Sequence, residues 1–307
     1  MNKKLALSLL DFGSFYPPTF YAHDVINHLI VNIYEYEKMG YSRYWLSEHY
    51  GKNIAWNCPE HLLPLLAGYS RKLKVGAAGV LMKYHNPLRV AQAYKILSAL
   101  YPDRIDLGIA RGEIDDVYKK AFAISEEKLN NKYFITQVDL LHDFLLNTHT
   151  ENHMFNQIQI QPIISKPPSI WFLGSSINSI QLAVKHGGAF CLSLIHSKQN
   201  AKEMVNILKS FKELYFEKYN ILPECSIALQ CFCSNSLITL KKFTSTNSEK
   251  NWWNGVNSVL GDSKGIKDQL LYFKDLFDVS EIVVLNYYTT LEEKQESISS
   301  VANEFFK

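Results

Sequence analysis

Arginine is scarce in this chain. Five occur, at positions 43, 71, 89, 104 and 111, and none follows Arg111. Net charge is also small, +2 at pH 7. No stretch groups basic residues with interleaved aromatics, so no nucleic-acid partner is expected. No apolar run approaches the length that crosses a bilayer, so no membrane span is expected. Five cysteines, an odd number at irregular spacing, argue against a disulfide framework and for a reducing cytoplasm. Cys231 and Cys233 share one face of an apparent strand, but two further metal ligands are missing nearby, so they are read as core and no metal is expected. No short-period repeat and no low-complexity tract is present. The opening run, Lys4 to Leu10, is broken by Asp11 and lacks a small-residue cleavage pattern, so it is read as a first strand.

Apolar residues are plentiful, at 47%, enough to bury a large core. They fall into eight short runs: Leu5–Leu10, Tyr44–Ser47, Val75–Leu81, Ile105–Ala110, Ile170–Leu173, Ala189–Leu194, Ser226–Phe232 and Glu281–Leu285. Helical spacing fills the gaps. Val25, Leu29, Ile33 and Tyr36 recur before Gly40; Val90, Tyr94, Leu97 and Tyr101 recur before Pro102; Gln181–His186 ends at Gly187; and Ile298, Val301 and Phe305 close the chain. Alternating strands and helices without a half-way break predict an α/β fold, a closed (β/α)8 TIM barrel forming one domain over residues 1–307. No G-x-G-x-x-G follows the first strand, which weakens the open, doubly wound alternative. The excursion Asn147–Pro168 precedes the fifth strand; its alternating Phe155 to Ile160 predicts a small hairpin insert. The polar stretch Ser234–Lys264, with Trp252 and Trp253, is expected to be irregular.

In such a barrel the chemistry sits at the C-terminal strand ends. The first strand ends at Asp11, near Tyr16. The second ends at Glu48-His49-Tyr50, passing from core to ionisable groups in one step. The third ends in Gly76-Ala77-Ala78-Gly79, with Tyr84 and His85 beyond. Small residues there leave room for a flat group against the backbone, or else serve a tight helix–strand contact. His85 is read as capping the following helix. Arg111 is the one arginine at a C-terminal strand end. A planar guanidinium suits phosphate, through two parallel hydrogen bonds; a salt bridge to Glu113, Asp115 or Asp116 is the plainer reading. Gly174-Ser175-Ser176, with Ser179, opens a helix whose free N–H groups and hydroxyls suit an anion, or which is an ordinary capped helix. With Arg111 on the neighbouring strand end, these residues describe a phosphate cup. Ser193 and His196 follow the sixth strand. His49 is either a general base or a buried histidine satisfied by a neighbour.

Several motifs in order carry a family resemblance. They are Gly40-Tyr41-Ser42-Arg43-Tyr44-Trp45-Leu46-Ser47-Glu48-His49, Cys58-Pro59-Glu60, Val75-Gly76-Ala77-Ala78-Gly79-Val80, His85-Asn86-Pro87-Leu88-Arg89-Val90-Ala91 and Leu100 to Gly112. Later come Gly174-Ser175-Ser176 and Gly261-Asp262-Ser263. The chain resembles the bacterial luciferase-like flavin monooxygenases, especially the small single-chain members found beside natural-product pathways. The resemblance is dense over residues 1–112 and sparse after.

The resemblance implies a two-component monooxygenase. FMN would be bound as FMNH2 delivered by a separate NAD(P)H:flavin reductase, with O2 as co-substrate and a small organic molecule as substrate. It implies flavin contacts from Glu48, Ala78 and Gly79, where relatives often have a non-prolyl cis peptide. Arg111, Gly174, Ser175, Ser176, Ser179 and Ser193 would complete the cofactor site. His49 would be catalytic, and Asp11, Tyr16, Tyr50, Tyr84 and His196 would line the substrate pocket. Lys128 or Lys132 would replace a further family arginine as point charges. A homodimer in the cytoplasm is the usual family state. Two alternatives stay open: an F420- or flavin-dependent reductase or dehydrogenase without O2 activation, and a flavin-binding protein without turnover.

Overall fold

The computed structural model describes residues 4–149, 151, 153–195, 197, 199–247 and 256–306. In its first half, β1 (Ala6–Asp11), α1 (Ala22–Met39), β2 (Arg43–Leu46), α2 (Leu63–Tyr69), β3 (Lys74–Leu81) and α3 (Pro87–Leu100) follow one another. β4 (Ile105–Ala110), α4 (Asp116–Ala121), α5 (Asn131–Leu146), β5 (Ser169–Gly174), α6 (Ile177–His186) and β6 (Ala189–Ser193) come next. The last third holds α7 (Ala201–Tyr219), β7 (Cys225–Cys233), α8 (Leu237–Asn247), β8 (Ser258–Gly261), α9 (Ser263–Phe277), β9 (Glu281–Asn286) and α10 (Leu291–Phe306).

Eight parallel strands close a ring. β1 to β7 pair in sequence order, β7 pairs β9, and β9 returns to β1. This is the expected TIM barrel, and each of the eight apolar runs supplies one of its staves. β8 is an addition that the sequence reading missed. β9 takes one edge of β7 over Ile227–Cys231. β6 and β8 therefore share the other edge, β6 over Cys225–Ala228 and β8 over Gln230–Cys233.

Side chains alternate between two cores, as strand geometry requires. Leu10, Trp45, Ala78, Trp171, Cys191, Ala228, Val283 and Leu285 fill the barrel. Leu9, Tyr44, Ala77, Phe172, Leu192, Leu229 and Val284 face the helices. α1 buries Val25, Leu29, Ile33 and Tyr36 at the predicted spacing. It stops at Gly40, whose φ of 104° and close approach to the Phe306 ring (2.9 Å from where a Cβ would stand) admit no side chain.

The floor of the barrel is filled by Arg43. Its guanidinium pairs with Asp106 at 2.9 Å, Glu281 at 2.6 Å and Glu224, and lies 4.4 Å from the Trp171 ring centroid. Trp45 donates its indole N–H to Asp106 at 2.9 Å. This knot sits at the strand starts, as expected for Arg43.

Two segments depart from expectation. Phe155 to Ile160 forms no hairpin; the described residues there are turns and coil. Phe155 and Ile158 pack sideways on the helix-facing core, and Ile160 is buried in it. The backbone carbonyl of Ile160 accepts from the fully buried Lys95 ammonium at 3.0 Å, so it is not free for a ladder. The stretch after β7 is not irregular throughout. It holds α8 and β8, with Phe243 stacked 4.0 Å from Phe232. Trp252 and Trp253 lie outside the described residues. No helix among the described residues is long and apolar enough to cross a membrane.

Candidate functional site

At the C-terminal mouth, the loops after β1 and β2 run side by side and hold each other. A bridge joins Ser14 to Ile54, and Ala55 N–H donates to the Gly13 carbonyl at 2.8 Å. Trp56 donates to the Ser47 carbonyl at 3.1 Å, and the Asn57 amide to the His49 carbonyl at 2.7 Å. His49 is half-buried, its ring stacked on Phe12 with centroids 5.4 Å apart and planes 18° apart.

Glu48 points the other way, into a buried junction. It accepts from Leu81 N–H at 2.9 Å and Tyr50 O–H at 2.8 Å, and it meets His85 Nε2 at 2.7 Å. Burial lowers the His85 pKa, but the hydrogen bond and charge of Glu48 outweigh it and the net shift is upward. His85 therefore does not cap α3. Asn86 does, accepting from Leu88 and Arg89 N–H. Glu48 fixes the exit of β3, where the Ala78–Gly79 peptide is cis. The glycines here serve strand contact. A Cβ on Gly76 would stand 2.3 Å from the Asp106 carbonyl, and one on Gly108 2.3 Å from the Ala77 carbonyl. The β3–β4 register shifts between Ala77 and Val80, at this same place.

Arg111 follows β4. It donates to the Asn131 side chain at 2.9 Å, and no carboxylate pairs with it among the described residues. Glu113, its expected alternative partner, is held by Lys83 and Lys119 instead. Arg111 and Asn131 line one wall of a cleft of about 220 Å³; Asn178, Ser179, Gln181 and Lys185 line the facing wall. Ile109, Phe134, Phe172 and Leu182 form its apolar base. Gly174 lets the chain turn into α6, since a Cβ there would meet Ser179 Oγ at 2.2 Å. Ser176 Oγ lies 3.3 Å from Ser179 Oγ. Of the expected phosphate cup, Arg111 and Ser179 share this cleft, whereas Gly174, Ser175 and Ser176 do not line it; Asn131, Asn178 and Lys185 were not expected. Lys128 lies instead beside the Tyr133 ring, 6.0 Å from its centroid. Ser175 is exposed and Ser193 half-buried on the inner face of β6.

The expected substrate pocket divides. Tyr16 packs edge-on to Phe20 and Tyr288, 5.7 and 6.3 Å between centroids, at the β1–β9 side. Tyr50 and Tyr84 belong to a second aromatic group, with Tyr118 and Phe122 closed over them. Tyr84 is buried and bonded to Glu113 at 3.2 Å, so it supports that wall. Asp11 is not at the mouth. It shares the outward face of Leu9, where it takes bonds from Lys294, from Tyr44 at 2.6 Å and from Gly13 N–H at 2.9 Å. Burial raises its carboxyl pKa, yet Lys294 and these donors hold it below the ordinary value. His196 lies outside the described residues.

Comparison with known proteins gives the family and the fold. The luciferase-like monooxygenase family matches residues 11–235. The uncharacterized protein YceB of Bacillus subtilis is 26% identical over 298 residues, covering 88% of this chain and 90% of that protein. Among solved structures, apo-MsnO8 superposes with a TM-score of 0.84 at 19% identity, covering 99% and 98% of the two chains. The oxygenating constituent of 3,6-diketocamphane monooxygenase from Pseudomonas putida, solved with FMN, gives 0.75 at 15% identity, covering 98% of each. The two structures share the fold. The family match takes in most of the chain, from the end of β1 to the end of β7. This chain belongs to the luciferase-like monooxygenase family.

Proposed function

We propose that this chain is the oxygenating component of a two-component monooxygenase that binds FMN as FMNH2. Family membership makes it an oxidoreductase. The observation that carries the cofactor is the cleft at the β4 and β5 ends. A guanidinium with no carboxylate partner among the described residues faces a serine hydroxyl across it, with amide donors from Asn131 and Asn178; Lys185, at the same cleft, is paired with Asp139 at 2.6 Å. That donor set fits a phosphate monoester. The flavin ring would lie toward Ala78–Gly79. Bound FMNH2 supplies the reactivity with O2.

The chain's own residues have three tasks. Arg111 and Ser179 anchor the tail. Phe12 and Tyr16 offer an aromatic, uncharged wall that keeps water from the reacting face, with the buried Phe20 and Tyr288 packed behind Tyr16. His49, held over Phe12 through the Asn57 clamp, gives or takes a proton beside that face. The substrate is a small organic molecule without strong charge.

FMN binding tests the reading. Arg111→Ala weakens it about ten- to hundredfold by calorimetry, the loss of a hydrogen bond pair to a charged group. With a flavin reductase and NAD(P)H, the wild-type chain couples O2 uptake to oxygen insertion. Unchanged FMN affinity in Arg111→Ala, or uptake that never becomes product for any uncharged candidate, overturns it.

A further inference from the structure

Cys58, Glu60 and His61 lie on the outer rim of the β2–α2 loop and take no part in the cleft. Cys58 is the one exposed cysteine of the five; the others are buried or half-buried. The run Cys58-Pro59-Glu60-His61 matches no common metal-ligand spacing, and the sequence reading expected no metal. The fold changes that. Pro59–His61 is a 3-10 turn, with His61 N–H donating to the Cys58 carbonyl at 3.2 Å and Leu62 N–H to Pro59 at 2.9 Å. Three residues per turn eclipse positions i and i+3, so the Cys58 thiol and His61 imidazole stand on one side. Glu60 brings its carboxylate to 4.0 Å from His61 Nδ1. Sulfur, oxygen and nitrogen all lie within 4.8 Å of one another. A tetrahedral ion with bonds of about 2.0–2.3 Å needs ligands roughly 3.3–3.8 Å apart. Small rotations of three side chains on a fixed turn reach that spacing, because the following α2 is anchored by buried Leu63 and Leu66.

We propose that Cys58, Glu60 and His61 form a binding site for one thiophilic divalent cation of the zinc class, with water completing the shell. Thiolate and imidazole select such an ion over Mg²⁺ or Ca²⁺, which prefer all-oxygen shells. On binding, the sulfur–metal bond replaces the S–H bond and the proton goes to solvent; no electrons are transferred. Burial and then the charges of Glu60 and Glu48 push the Cys58 thiol up. The site adjoins Asn57, the residue that clamps the His49 carbonyl, so a bound ion stiffens the loop that carries His49.

Cobalt(II) is the probe. Titrated into the reduced, full-length chain, it gives a thiolate-to-cobalt charge-transfer absorption that saturates at one equivalent. Zn²⁺ displaces it and Mg²⁺ does not. Cys58→Ser abolishes the band, Cys225→Ser keeps it, and His61→Ala weakens cobalt affinity at least tenfold. Unchanged melting temperatures establish that the variants are folded. No band in the wild type, a band that survives Cys58→Ser, or an affinity indifferent to His61 overturns the assignment.

Discussion

Lys294 and Asp11 meet where water is excluded, one on α10 and one at the end of β1. Each side chain is 3% exposed, so neither charge has solvent to fall back on. Removing one partner of such a pair strands the other and costs about 3–5 kcal/mol. Lys294→Met is therefore expected to destabilise the fold by that amount at neutral pH in urea unfolding. Asp11→Leu added to it removes the stranded charge and is expected to recover part of the loss, since Tyr44 O–H and Gly13 N–H then lose their acceptor. The sign with pH follows from Asp11. Its folded pKa lies below the unfolded value, so its stabilisation is present above the ordinary carboxylate range and fades as pH falls through it. The gap between wild type and Lys294→Met begins to narrow at higher pH, because the stranded carboxyl, left with burial and without the lysine, takes up its proton more readily than an ordinary one. The sequence reading placed Asp11 in the substrate pocket; parity puts it on one face with Leu7 and Leu9, but with both faces of β1 buried the sequence does not say which face is outward. Its partner was not legible either, because nothing in the sequence links positions 283 residues apart. Glu48 and His85 were likewise seen as separate candidates, and only the fold makes them one junction.

At the scale of elements, β3 and β4 approach so closely that backbone replaces side chain between them. Gly108→Ala would set a methyl group 2.3 Å from the Ala77 carbonyl and 2.7 Å from Leu173 Cδ1. Overpacking of this kind costs about 1–3 kcal/mol or more, so a lowered melting temperature is expected. Gly51→Ala, where a Cβ meets nothing within 4 Å, is the matched control and leaves it unchanged. The strands themselves were readable. Ile105–Ala110 is β4 to the residue, and apolar runs bounded by turns marked the other seven staves. β8 escaped because four residues with one fully buried position leave no period to detect. The stretch Phe155 to Ile160 misled for the opposite reason. It alternates, but the carbonyl of its last residue, Ile160, accepts from Lys95, and Phe155, Ile158 and Ile160 all pack on one core.

For the whole molecule, the family motifs marked the mouth, and the arginine count singled out the one guanidinium that lines the cleft. What they could not give was depth: which tyrosines are wall and which are lining depends on how α4 closes over β3. The charged knot around Arg43 has a consequence for traffic. With Asp106, Glu281, Trp45 and Trp171 plugging the strand starts, the barrel is a cul-de-sac. Whatever is made inside leaves by the doorway through which its precursor came. Under the proposed function, product and substrate compete for that doorway, and product inhibition measured against varied substrate is expected to raise KM and leave kcat alone.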